Sequence, residues 1–153
     1  MKEKDLRIVL EQHKMWLDSG GKEGSFADLT DADLTGASLN RANLTRADLT
    51  CANLLYAYLS GANLTGAFLR GANLAGAILN GTNLTDADLA DAVLTNVDLR
   101  GFNLSGASLS GADLRGANLT DADLTRANLA DAKLAAVSYT HLRAHETLMN
   151  RVC

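Results

Sequence analysis

The chain has 153 residues, enough for one domain, and a formal net charge of −4, which argues against a nucleic-acid backbone as its default partner. Hydrophobic residues make up 47% of it, but aromatics only 5% and proline none, so its interior must be filled by something small and regular. No stretch approaches the roughly 18 consecutive apolar residues of a membrane span. The charged opening Met1-Lys2-Glu3-Lys4-Asp5 has no signal-peptide core behind it, so the expected compartment is the cytoplasm.

The first predicted element is an amphipathic helix from Lys4 to Asp18, inside an N-terminal unit of residues 1–25. Leu6, Val9, Leu10, His13, Trp16 and Leu17 recur at helical spacing on one face, and Ser19-Gly20-Gly21 ends the run. Its expected role is to cap the element that follows through Leu6, Val9, Leu10 and Trp16, with Trp16 as the plug; a partner-binding helix is the alternative. His13 is expected to pack at the edge of the core, not to ligate.

From Leu29 to Leu134 every fifth residue is leucine, twenty-two in all. The residue two before each is alanine except at Thr82, Val97 and Phe102, and the one between is mostly Asp or Asn. A period of five suits neither standard element. On an α-helix five residues advance about 500°, which spreads the leucines around every side. On a strand, side chains alternate with period two, so successive leucines would point to opposite faces. A chain that turns by about 90° in each pentad resolves this: every leucine points at one axis, and four pentads close a square coil of twenty residues. Leu44, Leu64, Leu84, Leu104 and Leu124 then stack in one column, Leu29, Leu34 and Leu39 stand in the other three, and the series runs on to Leu134 in one core.

The A(D/N)LXX pattern over residues 26–136 resembles the pentapeptide-repeat family. The resemblance implies an all-β fold, a right-handed quadrilateral parallel β-helix of about 5.5 coils closed by the N-terminal helix. It also implies that each central leucine and the alanine two before it face inward. Asn43, Asn63, Asn83, Asn103 and Asp123, each followed two residues on by Thr or Ser, stand twenty apart and are expected to form hydrogen-bonding ladders along one face. Phe102 is expected to fill space beside Thr82 and Ala122 at some local cost.

The repeat stops after Ala136. Val137 to Thr147 resembles the conceptual translation of a transposase-based sequencing adapter, and Val152-Cys153 fits its later portion, so residues 137–153 are expected to be a non-native tail and the natural chain to continue differently. His141, His145 and Glu146 superficially suggest a metal site but lie in that tail.

Little catalytic chemistry is left. Outside the tail the chain has one histidine, His13, and one cysteine, Cys51, which reads as a tolerated small residue in an outward slot. No nucleophile–base pair, phosphate loop or metal-ligand set is recognisable, so no enzyme activity, cofactor or metal is expected. The expected function is a scaffold or protein-interaction module, its partner another protein, with no direct nucleic-acid binding and no membrane association. Leu55, Tyr56, Tyr58 and Ile78 form the candidate contact patch, while Phe68 and Val93 lie elsewhere around the rod. The alternative, implied by the resemblance, is a DNA mimic acting on a type II topoisomerase such as DNA gyrase. Twelve Asp against six Arg and one Lys in the repeats favour it only weakly, because the arginines interrupt any acidic stripe.

Overall fold

The computed structural model describes residues 1–138 and Thr140. Helix α1 spans Glu3–Asp18. It ends in a Schellman motif: the Gly20 N–H donates to Leu17 O at 3.2 Å and the Gly21 N–H to Trp16 O at 2.7 Å. Both glycines have positive φ. The following loop folds back so tightly that a Cβ on Gly24 would run into the Gln12 carbonyl.

Each pentad is one corner. The leucine carbonyl accepts the N–H of the alanine three residues on, as from Ala32 to Leu29 at 3.1 Å. The second residue after the leucine has positive φ in every repeat, from Asp31 at 55° to Ala136 at 59°. One left-handed residue, in the third position, is the pattern of a type II turn. Such a turn uses four of every five residues, so each side of the coil keeps a single bridging residue and no longer strand forms among the described residues. The bridges are parallel and join residues twenty apart, as in Asn43 to Asn63 to Asn83. The coil therefore has four sides. Faces 1 to 4 are named here for the columns that begin at Leu29, Leu34, Leu39 and Leu44.

The leucines fill the shaft. Leu29, Leu34, Leu39, Leu44, Leu64, Leu84, Leu104 and Leu124 are all at most 3% exposed. Leu134, in the last of the twenty-two pentads, is only half-buried. At the other end Leu6 joins the same core, with Val9 and Leu10 packed against it. Trp16 does not plug the shaft. It stays half-exposed, and the fully buried side chain of α1 beside Leu6 is His13.

The residue between alanine and leucine has a local task. Its side-chain oxygen accepts the N–H two residues on, as Asp28 does from Thr30 at 3.1 Å and Asn63 from Thr65 at 3.1 Å. This explains the preference for Asp and Asn there. The ladder expected on face 4 does not run through Asn43, Asn63 and Asn83. Thr45, Thr65 and Thr85 donate their hydroxyls to the Oδ1 of Asn43, Asn63 and Asn83, which satisfies that oxygen within the repeat. A ladder runs on face 2 instead. Leu55 has no hydroxyl, so Asn53 Oδ1 is open to Asn73 Nδ2 at 3.2 Å, and Asn53 Nδ2 donates to Thr35 Oγ1 at 2.9 Å.

The stack is complete on faces 1 and 2 and interrupted on faces 3 and 4. Phe68 bridges Asp88, and Asn73 bridges Val93. Among the described residues no bridge joins Ile78 to Asp98 or Asn83 to Asn103, although the bridges above and below them are present. The inter-coil hydrogen bonds that Gly76, Leu79, Gly81, Leu84, Asp98 and Asn103 would donate by the repeat rule are missing with them. The coil below this seam carries Val97 and Phe102 in two successive alanine slots. The interruption lies directly above these two residues.

The regular stacking continues past residue 136: Asn118 bridges Ser138, and the Asp121 N–H donates to Thr140 O at 3.0 Å. The rest of the expected tail, with His141, His145 and Glu146, lies outside the described residues.

Candidate interaction surface

Tyr58 and Ile78 each precede a core leucine on face 3, the slot from which a side chain points outward. They are bridged directly, one above the other. Tyr58 is 47% exposed and Ile78 41%. Tyr56 occupies the corner two residues before Tyr58, in the left-handed conformation, and is 62% exposed. Its ring lies over Gly76, where an added Cβ would come 2.6 Å from the ring edge. The absence of a side chain at Gly76 is what leaves room for the ring there. Leu55 stands across the corner on face 2 and is half-buried. The structure therefore brings Tyr56, Tyr58 and Ile78 onto one surface and places Leu55 at its edge. Phe68 is exposed on face 1, on the opposite side of the rod.

Below Ile78 the seam opens into a shallow depression of about 400 Å³, lined by Asn80, Gly81, Asp98, Arg100, Phe102 and Asp121 among others. Arg100 is committed to Asp98, its Nη2 lying 2.6 Å from Oδ2 and its Nε 2.8 Å from Oδ1. That pairing lowers the Asp98 pKa. The repeat pattern alone does not point to this depression. Its only signal is the pair of oversized residues, Val97 and Phe102, five apart in one coil.

The electrostatics of the surface are mixed. Arg115 holds Asp113 as Arg100 holds Asp98, at 2.6 Å, and Arg70 reaches across the coils to Asp91 at 3.4 Å. Three of the arginines thus neutralise repeat aspartates locally. Among the described residues no group of three or more His, Cys, Asp or Glu side chains could hold a metal ion. No helix among them is long and apolar enough to cross a membrane. Cys51 is exposed at a corner of face 1, over Gly71.

At the capped end His13 joins α1 to the coil. Its Nδ1 accepts the Ala27 N–H at 3.1 Å, and its Nε2 lies 3.1 Å from Thr45 O. The partners fix the neutral Nε2–H tautomer, since Ala27 N can only donate and Thr45 O can only accept. Trp16 stacks on the imidazole at 5.8 Å, and Phe26 meets both rings edge-on. Burial lowers the His13 pKa, opposed by the bond to Thr45.

A family model described as pentapeptide repeats matches residues 27–66, 67–106 and 103–137. No curated protein sequence matches the chain. Among solved structures, the pentapeptide repeat protein Rfr23 from the cyanobacterium Cyanothece 51142 is 29% identical, with a TM-score of 0.50 over 78% of this chain and 88% of that one. A pentapeptide repeat protein from the Arabidopsis thaliana thylakoid lumen is 35% identical over 69% and 70% of the two chains, with a TM-score of 0.33. HetL from Nostoc sp. strain PCC 7120, a pentapeptide repeat protein involved in heterocyst differentiation regulation, is 32% identical over 72% and 65%, with a TM-score of 0.34.

Proposed function

The chain belongs to the pentapeptide-repeat family, and from that premise we propose that it is a non-enzymatic rod that binds another protein through Tyr56, Tyr58 and Ile78, with Leu55 at the edge of the contact. In this reading the coil has the family's right-handed sense. Residues 1–25 cap it, residues 26–136 present the surface, and residues 137–153 contribute nothing to binding.

The observation that carries the reading is the direct stacking of Tyr58 on Ile78 beside the exposed ring of Tyr56. A regular repeat requires only a leucine inside and a small polar residue outside, so three large apolar side chains gathered on one outer surface serve something other than the core. Aromatic side chains that bring large rigid area at low entropic cost are typical anchors of protein contacts.

The DNA-mimic alternative is less well supported. Arg70, Arg100 and Arg115 pair with repeat aspartates, which breaks up the continuous negative charge that a duplex surrogate needs. The test is capture of a partner by the intact chain, followed by Tyr58→Ser with Ile78→Ser. Each buried side chain of this size contributes about 1.5–3 kcal/mol. The double variant should therefore weaken binding at least about tenfold while its circular-dichroism spectrum and melting point stay unchanged. Undiminished binding by a folded double variant overturns the surface. Inhibition of gyrase supercoiling by the intact chain would favour the mimic instead.

A further inference from the structure

The geometry points to a bending joint in the rod: the coils above and below the seam are hinged along faces 1 and 2 and part along faces 3 and 4, where Phe102 wedges them open. Three observations converge. On the closed side the coils are held by the Leu69 N–H to Asp88 O at 2.7 Å, the Leu74 N–H to Val93 O at 2.8 Å, and the Arg70–Asp91 pair across the same boundary. On the open side the bridges from Ile78 to Asp98 and from Asn83 to Asn103 are both absent among the described residues. The interruption is bounded, because the Asp86 N–H donates to Ser105 O at 3.0 Å, where face 4 turns back toward face 1.

The cause lies in volume. Coils joined by backbone hydrogen bonds stand about 4.8 Å apart, and the alanine slots on faces 3 and 4 are sized for a methyl group. Phe102 and Val97 fill two of them in succession and remain buried, at 7% and 2% exposed. Above Phe102, Thr82 turns its hydroxyl away from the seam to Leu59 O at 2.7 Å. Below it the ladder is intact, since the Asp123 N–H donates to Phe102 O at 2.8 Å. The displacement therefore falls wholly on the upper side of this coil.

Residue-resolved hydrogen exchange on the intact chain tests the open side. The amides of Leu79, Gly81, Leu84, Asp98 and Asn103 should exchange on the order of 100-fold faster than Leu59, Gly61, Leu64, Asn118 and Asp123, which hold the same positions in neighbouring coils. Equal protection of the two sets overturns the joint. Bending is read by spin-label distances in a background of Cys51→Ser and Cys153→Ser. The pair Ser38→Cys with Asn118→Cys spans the seam on face 3, and Asp28→Cys with Ser108→Cys spans the same number of coils on face 1. A broad distribution on face 3 beside a narrow one on face 1 supports the joint, and equally narrow ones refute it. Phe102→Ala should restore protection at the seam and narrow the face 3 distribution. A folded variant with unchanged exchange removes Phe102 as the wedge. If that variant does not fold, the comparisons on the unaltered sequence decide.

Discussion

At Gly36 the backbone turns a corner with φ of 64° and open space where a Cβ would stand. Gly36→Ala therefore isolates the cost of holding an ordinary residue left-handed, and should lower stability by about 1–2 kcal/mol in denaturant unfolding. Gly36→Asn should cost less, because Asn tolerates that conformation. The sequence shows why both outcomes are reasonable: Asp, Asn and Arg already fill other corners, such as Asp31, Asn96 and Arg41. What it does not show is that all the corners share one backbone conformation, since glycine there could equally serve close packing. The Asn ladder was legible in kind but not in place. Which Oδ1 stays open depends on whether the residue two positions on has a hydroxyl, and that geometry becomes visible only once the turn is built.

Helix α1 is the one element outside the repeat among the described residues, and its periodicity was readable from the spacing of Leu6, Val9 and Leu10. The grip of His13 was not, because both of its partners, Ala27 N–H and Thr45 O, are backbone groups that sequence does not mark. That grip makes the cap sensitive to acid. The unfolded chain takes up the imidazole proton near the ordinary value of 6.5, and the folded chain does so only at lower pH. His13 thus contributes stability that is fully present above pH 6.5 and is lost as pH falls through the depressed folded value. Melting points recorded from pH 7.5 to 5 should decline, and the decline should flatten in His13→Gln. A slope unchanged by that substitution assigns the effect elsewhere. Within the coils, Leu64→Ala should cost about 2–5 kcal/mol, since its site is sealed on all sides, whereas Leu134→Ala should cost clearly less at its half-buried position. Chemical denaturation of the two variants checks the order.

The square coil follows from arithmetic on a period of five, and that is why the architecture is so readable. The leucines repeat without exception, while departures such as Thr82, Val97 and Phe102 fall at other positions of the pentad. The proposed contact surface was half legible: Tyr58 and Ile78 are twenty apart and had to stack, but the ring of Tyr56 over Gly76 is a matter of side-chain direction. The twenty-residue register also makes the rod a device of phase. Excising Gly106 to Thr125 removes one full circuit, so everything downstream keeps its compass bearing, and the shortened chain should fold with a cooperative melt. Excising Arg46 to Thr50 removes a quarter circuit. Tyr58 and Ile78 should still stack, but they would swing by about 90° relative to α1, a change that distance measurements from the helix can read. In such a molecule, insertions and deletions of five residues re-aim a surface without redesigning it.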